Sequence, residues 1–193
     1  MSEIPSLPGL SSSRFTFHVS RFISRVRRNH ALEHATMHVL GERYRDIRLV
    51  GRSSLWGFYI YGDVPTERLL AAAQEGLRRL RAGQWQMAIH PHCGSNLAVA
   101  GTLAGLGAFL ALGGISIRRN RVFSEKPGFS LDRIARLPLA CAAATLGIIL
   151  ARPLGTAFQA HVTTQADVGN LRIAGITRER KTGVLVHHVR TEG

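Results

Sequence analysis

Two long apolar stretches interrupt a sequence in which hydrophobic and polar residues otherwise alternate or recur at helical spacing. Leu97 to Ile117 is free of charged residues over 21 positions, which is enough to cross a bilayer as a helix. Leu137 to Ala151 is shorter, and it reaches spanning length if it continues to Phe158 while Arg152 extends to the interface. We therefore predict a two-helix transmembrane hairpin over residues 96–158.

The sequence around this hairpin contains opposing signals about its orientation. The basic loop at 118–136 holds six Lys and Arg residues against Glu125 and Asp132, and the positive-inside rule favours a cytosolic loop. Met1 to Ser13 lacks the long apolar block of a secretory signal, which disfavours export of a basic N-terminal domain. We expect the main domain on the cytosolic side of a bacterial cytoplasmic membrane. A hairpin that enters and returns from that side reconciles both signals.

Outside the hairpin, the periodicity predicts two helices and five short strands. Helical spacing runs from Arg14 to Leu40 and from Thr66 to Arg81, where Thr66 is the expected cap. Runs rich in β-branched and aromatic residues predict the strands Asp46–Val50, Leu55–Tyr61, Gln84–Ile89, Leu171–Thr177 and Val184–Val189. Turns are expected at Gly51–Ser54 and at Lys181–Gly183.

These elements predict an α+β fold in which a small helix and antiparallel-sheet domain is interrupted by the membrane hairpin. Residues 1–13 have the composition of a disordered lead, and residues 14–95 are expected to form the main domain with the metal site. Residues 159–193 are expected to form a C-terminal β-hairpin that completes the sheet begun by the first two strands.

The charge balance is strongly basic, at +13 from 25 Lys and Arg against 12 Asp and Glu. Such a balance is typical of proteins that bind nucleic acid, anionic lipid or acidic ligands. Neither a zinc-finger spacing nor an aromatic RNP pattern is present, so no specific nucleic-acid partner is expected. We expect the lipid bilayer as a partner. Anionic headgroups, or only solvent, would contact the arginines of the first helix: Arg21, Arg25, Arg27 and Arg28.

The first helix carries the spacing H-x-x-E-H at His30, Glu33 and His34, with His38 one turn later. Residues three and four apart share a helix face, so these side chains project into one neighbourhood. In the inverted zinc signature, two such histidines hold the metal and the glutamate polarises a water molecule. The apolar residues on the same face indicate that it is turned inward: Val19, Phe22, Ile23 and Val26.

The motif alone is equally compatible with buried histidine and glutamate side chains that bond to each other. A second cluster, His90-Pro91-His92-Cys93-Gly94, supplies imidazoles and a thiolate in a turn-like segment. Those ligand types suit a divalent metal, zinc or alternatively iron. Cys93 and Cys141 are too few for a disulfide framework, so we expect Cys93 to be reduced. Reserve candidates for the site are His38, His92, His161 and Asp167.

The stretches RNHALEHATMHVL and AIHPHCGSNLAVAG resemble a small bacterial membrane-protein family of unknown function, domain of unknown function 6391. The paired motifs, followed by an apolar span, are also similar to the YqhQ-like membrane proteins, which are described as predicted metal-dependent enzymes. The resemblance covers residues 25–105, and elsewhere it extends only to architecture. It places His92 at a variable position and His38 outside the shared motif. The positions that it implicates are His30, Glu33, His34, His90 and Cys93.

We expect His30, His34 and His90 to hold one zinc-type ion, with Cys93 as a fourth ligand or as a neighbour of a ligand. Glu33 is the expected general base of a metal-dependent hydrolase acting on an amide or ester bond near the membrane. The alternative is a membrane scaffold or assembly factor whose four protein ligands close a structural metal site. A third possibility is electrostatic binding of anionic lipid or RNA by the first helix.

Overall fold

The computed structural model of the chain describes residues 12–44, 47–113 and 134–193. The predicted lead at 1–13 and the basic loop at 118–136 lie largely outside these ranges. The chain divides into two compact units, one formed by residues up to 90 together with 160–193, and the other by 91–159. In chain order the elements are α1 (Ser12–Arg43), β1 (Val50–Ser54), β2 (Gly57–Tyr61), α2 (Thr66–Arg81), a 3-10 helix (Trp85–Ala88), α3 (Gly94–Ala111), α4 (Leu137–Phe158), a π-helix (Gln159–Thr163), β3 (Arg172–Lys181) and β4 (Val184–Glu192).

The first unit contains a four-stranded antiparallel sheet in the order β1-β2-β4-β3, so the α+β class predicted from the sequence is confirmed. The strand β4 pairs with β2, with Tyr59 opposite His188, and thereby joins the C-terminal hairpin to the first one. The predicted turn at Gly51–Ser54 is wrong, because these residues are paired within β1. The chain reverses at Leu55 and Trp56 instead. It enters β2 through Gly57 at φ 135°, a conformation that residues with a Cβ rarely adopt.

A third strand at Gln84–Ile89 is also not formed, since residues Trp85–Ala88 make a short 3-10 helix. Its amide hydrogens bond locally, with Met87 N donating to Gln84 O at 3.1 Å and Ile89 N to Gln86 O at 3.1 Å. In a strand the carbonyl groups of Ala88 and Ile89 would be committed to a neighbouring strand. Here they remain available to side chains of α1.

The core of this unit lies between α1, α2 and the inner face of the sheet. Leu32 and Val39 of α1, Phe58 of β2 and Leu69 of α2 are completely buried. The helices approach closely at Gly76, where a Cβ would lie 3.0 Å from the Ala35 carbonyl carbon. Burying this apolar surface is the main favourable contribution to folding the unit.

Two predictions about the helices need correction. The face of α1 turns inward only from Ser24 onward, and its apolar residues Phe22 and Ile23 are 53% and 50% exposed. The helix is 32 residues long and extends beyond the elements that cover it. Thr66 is not the cap of α2, because Pro65 occupies that position and no side chain bonds to the helix start. The Thr66 hydroxyl lies 3.2 Å from His187 Nε2 instead.

The second unit pairs α3 with α4, and the contact depends on glycines other than the predicted pair. A Cβ at Gly107 would lie 2.9 Å from Ala143 O, and one at Gly147 would lie 2.7 Å from Leu103 O. Gly101 and Gly105, the G-x-x-x-G pair, have no described atom within 4 Å of a Cβ position. By length and composition, two helical segments could cross a membrane: Gly94–Ala111 and Leu137–Thr163.

Candidate metal centre

One stripe of α1 carries His30, His34 and His38 at four-residue spacing. The rings of His30 and His34 contact each other edge to face, with 4.3 Å between their centroids. His34 is buried, at 2% exposure, and the other two histidines are half-buried. The helix period predicted from the sequence therefore does bring these imidazoles together.

Each of the three rings uses one nitrogen to bind a backbone carbonyl. His30 Nδ1 lies 2.9 Å from Thr163 O, and His34 Nδ1 lies 2.6 Å from Ala88 O. His38 differs in that its Nε2 lies 2.7 Å from Ile89 O. A carbonyl oxygen only accepts, so each of these nitrogens must carry the hydrogen, which leaves the other nitrogen of the neutral ring with its lone pair. Metal-binding histidines are oriented by the same arrangement.

The remaining nitrogen of His34 is the clearest indication of a ligand. Its Nε2 is buried and has no hydrogen-bond partner within the described ranges of the chain. Leaving a buried acceptor unsatisfied costs about 1–3 kcal/mol. A metal ion that accepts the Nε2 lone pair would remove this cost, so the ring fits a metal ligand in both tautomer and environment.

His90 reaches the same neighbourhood from the segment that follows the 3-10 helix. Its ring centroid lies 4.9 Å from that of His38 and 5.8 Å from that of His34. The carbonyl groups that orient His34 and His38 come from the end of the 3-10 helix and the residue after it, so one short segment positions two rings and adds a fourth imidazole. The four histidines thus form one cluster inside the first unit.

Cys93 lies three residues beyond His90, in the second unit, and it is the residue that caps the start of α3. It is not part of a disulfide, and its Sγ accepts a hydrogen bond from Ser95 Oγ at 3.2 Å. In the first unit, His30 and His34 belong to a described group of side chains that could hold a metal ion. Imidazole nitrogen and thiolate sulfur suit zinc and iron.

Glu33 is buried at 5% exposure, and it lies against β1. A Cβ at Gly51 would overlap the Glu33 carboxylate and would lie 2.7 Å from its Cδ. A side chain at this position would require the carboxylate to move. The sequence did not reveal this contact between Gly51 and Glu33, because Gly51 was assigned to a turn. Glu33 does not belong to the group of potential ligands found among the described residues.

The remaining reserve candidates are exposed. His92 and His161 both have exposed side chains, and the His161 carbonyl accepts a hydrogen bond from Arg27 at 2.9 Å. The Asp167 carboxylate accepts a hydrogen bond from the Gly169 amide at 3.0 Å, which stabilises a local turn. None of these three belongs to the described group of potential ligands.

Arg27 has an internal role that no sequence signal indicated. Its guanidinium donates to the carbonyl oxygens of His161 and Thr164, both at 2.9 Å. Between these two residues lies Thr163, whose carbonyl orients His30. Arg27 thus holds the backbone segment on which the His30 tautomer depends.

A family model for a domain of unknown function, DUF6391, matches residues 25–176. The chain belongs to this family. The matched region contains the four clustered histidines, Glu33 and Cys93.

A relative of the DUF6391 protein is an uncharacterised protein of Picosynechococcus sp. (strain PCC 7002), which is 35% identical over 108 residues. The match covers 51% of this chain and 48% of the relative, so the chain spans about half the length of that protein. No solved structure matches the chain.

Proposed function

We propose that this DUF6391 protein is an integral membrane protein with one divalent metal ion, zinc or iron, in its α+β domain. We further propose that it is a metal-dependent hydrolase acting on an amide or ester bond near the membrane surface, related to the YqhQ-like proteins. His30, His34 and His90 would hold the ion, with Cys93 as a fourth ligand or beside one. His38 is the nearest reserve ligand.

The observation that carries the metal site is the buried Nε2 of His34, which no described residue satisfies. The Nδ1–H of the same ring donates to Ala88 O at 2.6 Å, so the tautomer is already the one that a ligand needs. His30 has the same arrangement through Thr163 O. Two preoriented imidazoles on adjacent turns can bind one ion without rearranging α1.

The bound ion would supply polarisation of a carbonyl group and activation of water. Glu33 would accept a proton from the attacking water and pass it to the leaving group. Its burial against Gly51 limits the orientations of the carboxylate, which is what a positioned proton acceptor requires. Ser95 would donate a hydrogen bond that stabilises the thiolate form of Cys93.

The membrane assignment is supported by the hydrophobic side chains that α3 and α4 leave exposed. Apolar surface of this extent is unfavourable in water and favourable among lipid chains. The N-terminal part of α1 adds exposed Val19, Phe22 and Ile23 in the other unit. The large exposed hydrophobic residues of α3 and α4 include Leu97, Leu106, Phe109, Leu110, Leu146, Ile148, Ile149 and Leu150.

A non-catalytic scaffold or assembly factor with a structural metal site is the second candidate. In this candidate Glu33 has a packing role, since its carboxylate lies against β1. Four protein ligands would close the coordination sphere and leave no position for a substrate. In that case the ion would link α1 to the segment that follows the 3-10 helix.

Elemental analysis of the detergent-purified full chain tests the site. About one zinc or iron per chain is expected, and His34→Ala should lose it, because a ring held by α1 and Ala88 is removed. His188→Ala is the matched control, since it also removes a partly buried imidazole but lies outside the cluster. A metal-free wild-type chain, or equal metal loss in both variants, would rule out the proposed site.

Glu33→Gln separates the two functions. If the protein is a hydrolase, this variant should keep its metal and lose turnover of a chromogenic short-chain ester, with about a hundredfold or greater reduction. Replacement by Co²⁺ would show in the absorption spectrum whether Cys93 and an exchangeable ligand are present. Full metal occupancy with no exchangeable ligand and no turnover in the wild type would favour the scaffold.

A further inference from the structure

A cavity of about 550 Å³ lies where the exposed part of α1 meets the C-terminal segment in the first unit. Its volume falls within the range of about 300–1,000 Å³ that is usual for small-molecule sites. Six of its nine lining residues are polar or basic, and Phe22 and Leu171 add apolar surface. The polar residues that line it are Ser20, Arg21, Ser24, Arg25, Arg28 and Asn170.

Among the described residues, no acidic side chain that lines this cavity balances the charges of Arg25 and Arg28. No Asp or Glu lines it in the described part of the chain. The ion pairs found among the described residues do not involve Arg25 or Arg28. Gly193 is the remaining residue that lines the cavity. Guanidinium groups held together without a counter-charge repel one another, so an anion between them would be bound favourably.

Arg25 and Arg28 are held in place by contacts that leave donors unused. The Arg25 guanidinium donates to Thr191 O at 2.9 Å and lies 5.6 Å from the centre of the Trp56 ring. The Arg28 guanidinium lies beside Gly169, where a Cβ would come within 3.2 Å of it. The Nε–H of each arginine is buried and has no hydrogen-bond partner among the described residues. Such donors are costly to bury unless an acceptor is present.

Other polar groups at the cavity match the same kind of ligand. Ser20, one turn before Ser24 on α1, and Asn170 are both exposed and line the cavity. The Ser24 hydroxyl donates to Gln165 Oε1 at 2.8 Å, so its hydrogen is already used and it does not donate to a ligand in the cavity. A tetrahedral oxyanion accepts several hydrogen bonds at once, and a guanidinium can donate two in parallel to such a group.

We propose that this cavity binds a phosphate group, with Arg25 and Arg28 as the principal donors and Arg21 at the entrance. The phosphate could belong to a soluble phosphoester or to an anionic phospholipid headgroup, whose apolar part would continue toward Phe22 and Ile23. This site uses none of the histidines of the candidate metal centre. The site also differs from the expectation that the four arginines of the first helix contact headgroups or solvent. Arg27 does not line the cavity, whereas Arg21, Arg25 and Arg28 do.

Calorimetric titration of the full chain in a neutral detergent tests the proposal. One arm uses sn-glycerol 3-phosphate, and the other uses mixed micelles containing short-chain phosphatidylglycerol or, for comparison, phosphatidylcholine. Arg28→Gln should weaken phosphate binding about tenfold or more, because a charged donor is lost. Arg180→Gln, an equal charge change at an exposed position of β3 outside the cavity, should leave binding within about twofold of the wild type.

Each outcome is decisive. Binding in both arms, lost selectively in Arg28→Gln, supports a site for the phosphate group itself. Binding only to phosphatidylglycerol micelles, with the same selective loss, identifies the headgroup as the source. Equal weakening by Arg28→Gln and Arg180→Gln would overturn the proposal in favour of general charge attraction, as would no binding in either arm. If Arg28→Gln lowers thermal stability, Arg21→Gln at the entrance is titrated in its place.

Discussion

The two halves of α1 have similar sequence patterns and opposite environments. In the N-terminal half, Val19, Phe22 and Ile23 recur at helical spacing and are exposed, and arginines line a cavity. In the C-terminal half, residues at the same spacing are buried against α2 and the sheet, and the histidine rings donate to backbone carbonyls. The buried residues of that half include Ala31, Leu32, Ala35 and Val39.

This difference shows that the hydrophobic periodicity of a helix identifies its apolar face but does not identify which elements pack on that face. Burial of α1 begins at Ser24, and Asn29 is its first fully buried residue, where the helix is hydrogen-bonded to the turn region of the first hairpin and to β4. Arginine is compatible with either environment, because its stem packs on apolar surface while its guanidinium bonds to carbonyls or anions. Arg27 illustrates the bonding of a guanidinium to backbone carbonyls.

Alanine substitution of one large apolar residue in each half should give the largest contrast. Leu32→Ala creates a cavity in the core and is expected to lower the free energy of unfolding by about 2–5 kcal/mol. Phe22→Ala, at a position that is 53% exposed, should change it by no more than about 0.5 kcal/mol. Chemical denaturation in detergent measures both values. Similar losses for the two variants would mean that the N-terminal half is covered as well.

A smaller effect is expected where the two halves of α1 meet. The completely buried Asn29 amide donates to Ser54 O at 2.8 Å and to Leu55 O at 3.1 Å, and its oxygen accepts from Thr191 Oγ1 at 2.7 Å. Asn29→Ala leaves these partners unsatisfied and should cost about 1–3 kcal/mol in the free energy of unfolding. The exposed amide of Gln74 is the control. Equal stability of Asn29→Ala and Gln74→Ala would show that the three bonds contribute nothing net.

The smallest expected effect is a pH dependence of the stability of the first unit, which comes from the histidines of β4. Burial, followed by the charge of Arg178, lowers the pKa of His187 below its ordinary value of 6.5, while Asp63 and Glu67 oppose the shift. As the pH falls through 6.5, the unfolded chain therefore takes up a proton before the folded chain does, and stability decreases. His188 has a lowered pKa for the same main reason and adds to the trend.

Thermal denaturation between about pH 8 and pH 5 measures this dependence, since that window spans the ordinary pKa of histidine. His187→Gln should flatten the curve below about pH 6.5, because the titrating group is removed while a polar side chain of similar reach to Thr66 is kept. A wild-type protein that gains stability as the pH falls would contradict the predicted sign.

Much of the fold was predictable, because its main elements have strong local signals. The bounds of α2 agree with the prediction, and the final hairpin turns at the predicted Thr182 and Gly183. The failures are short elements. At Gly51–Ser54 and Gln84–Ile89, composition was compatible with turn, strand or 3-10 helix, and the choice depended on which partner was available for the backbone.

The sequence predicted the histidine spacing of the candidate site but not the contacts around it. Helical spacing was sufficient to place His30, His34 and His38 together, because that is a property of the helix itself. Their tautomers, the contact of His90 with His38, and the packing of Glu33 against Gly51 all involve residues distant in sequence. No local pattern contains that information.

From the sequence alone follow the α+β class, the two apolar helices, the histidine stripe and the excess of arginine, because each depends on neighbours within a few positions or on composition. Tertiary structure alone decided which half of α1 is buried, which nitrogen of His34 is left without a partner, and which arginines surround a cavity. The physical reason is that burial and hydrogen bonding are satisfied by whichever groups the fold brings close, and those groups come from β1, the 3-10 helix and the C-terminal segment.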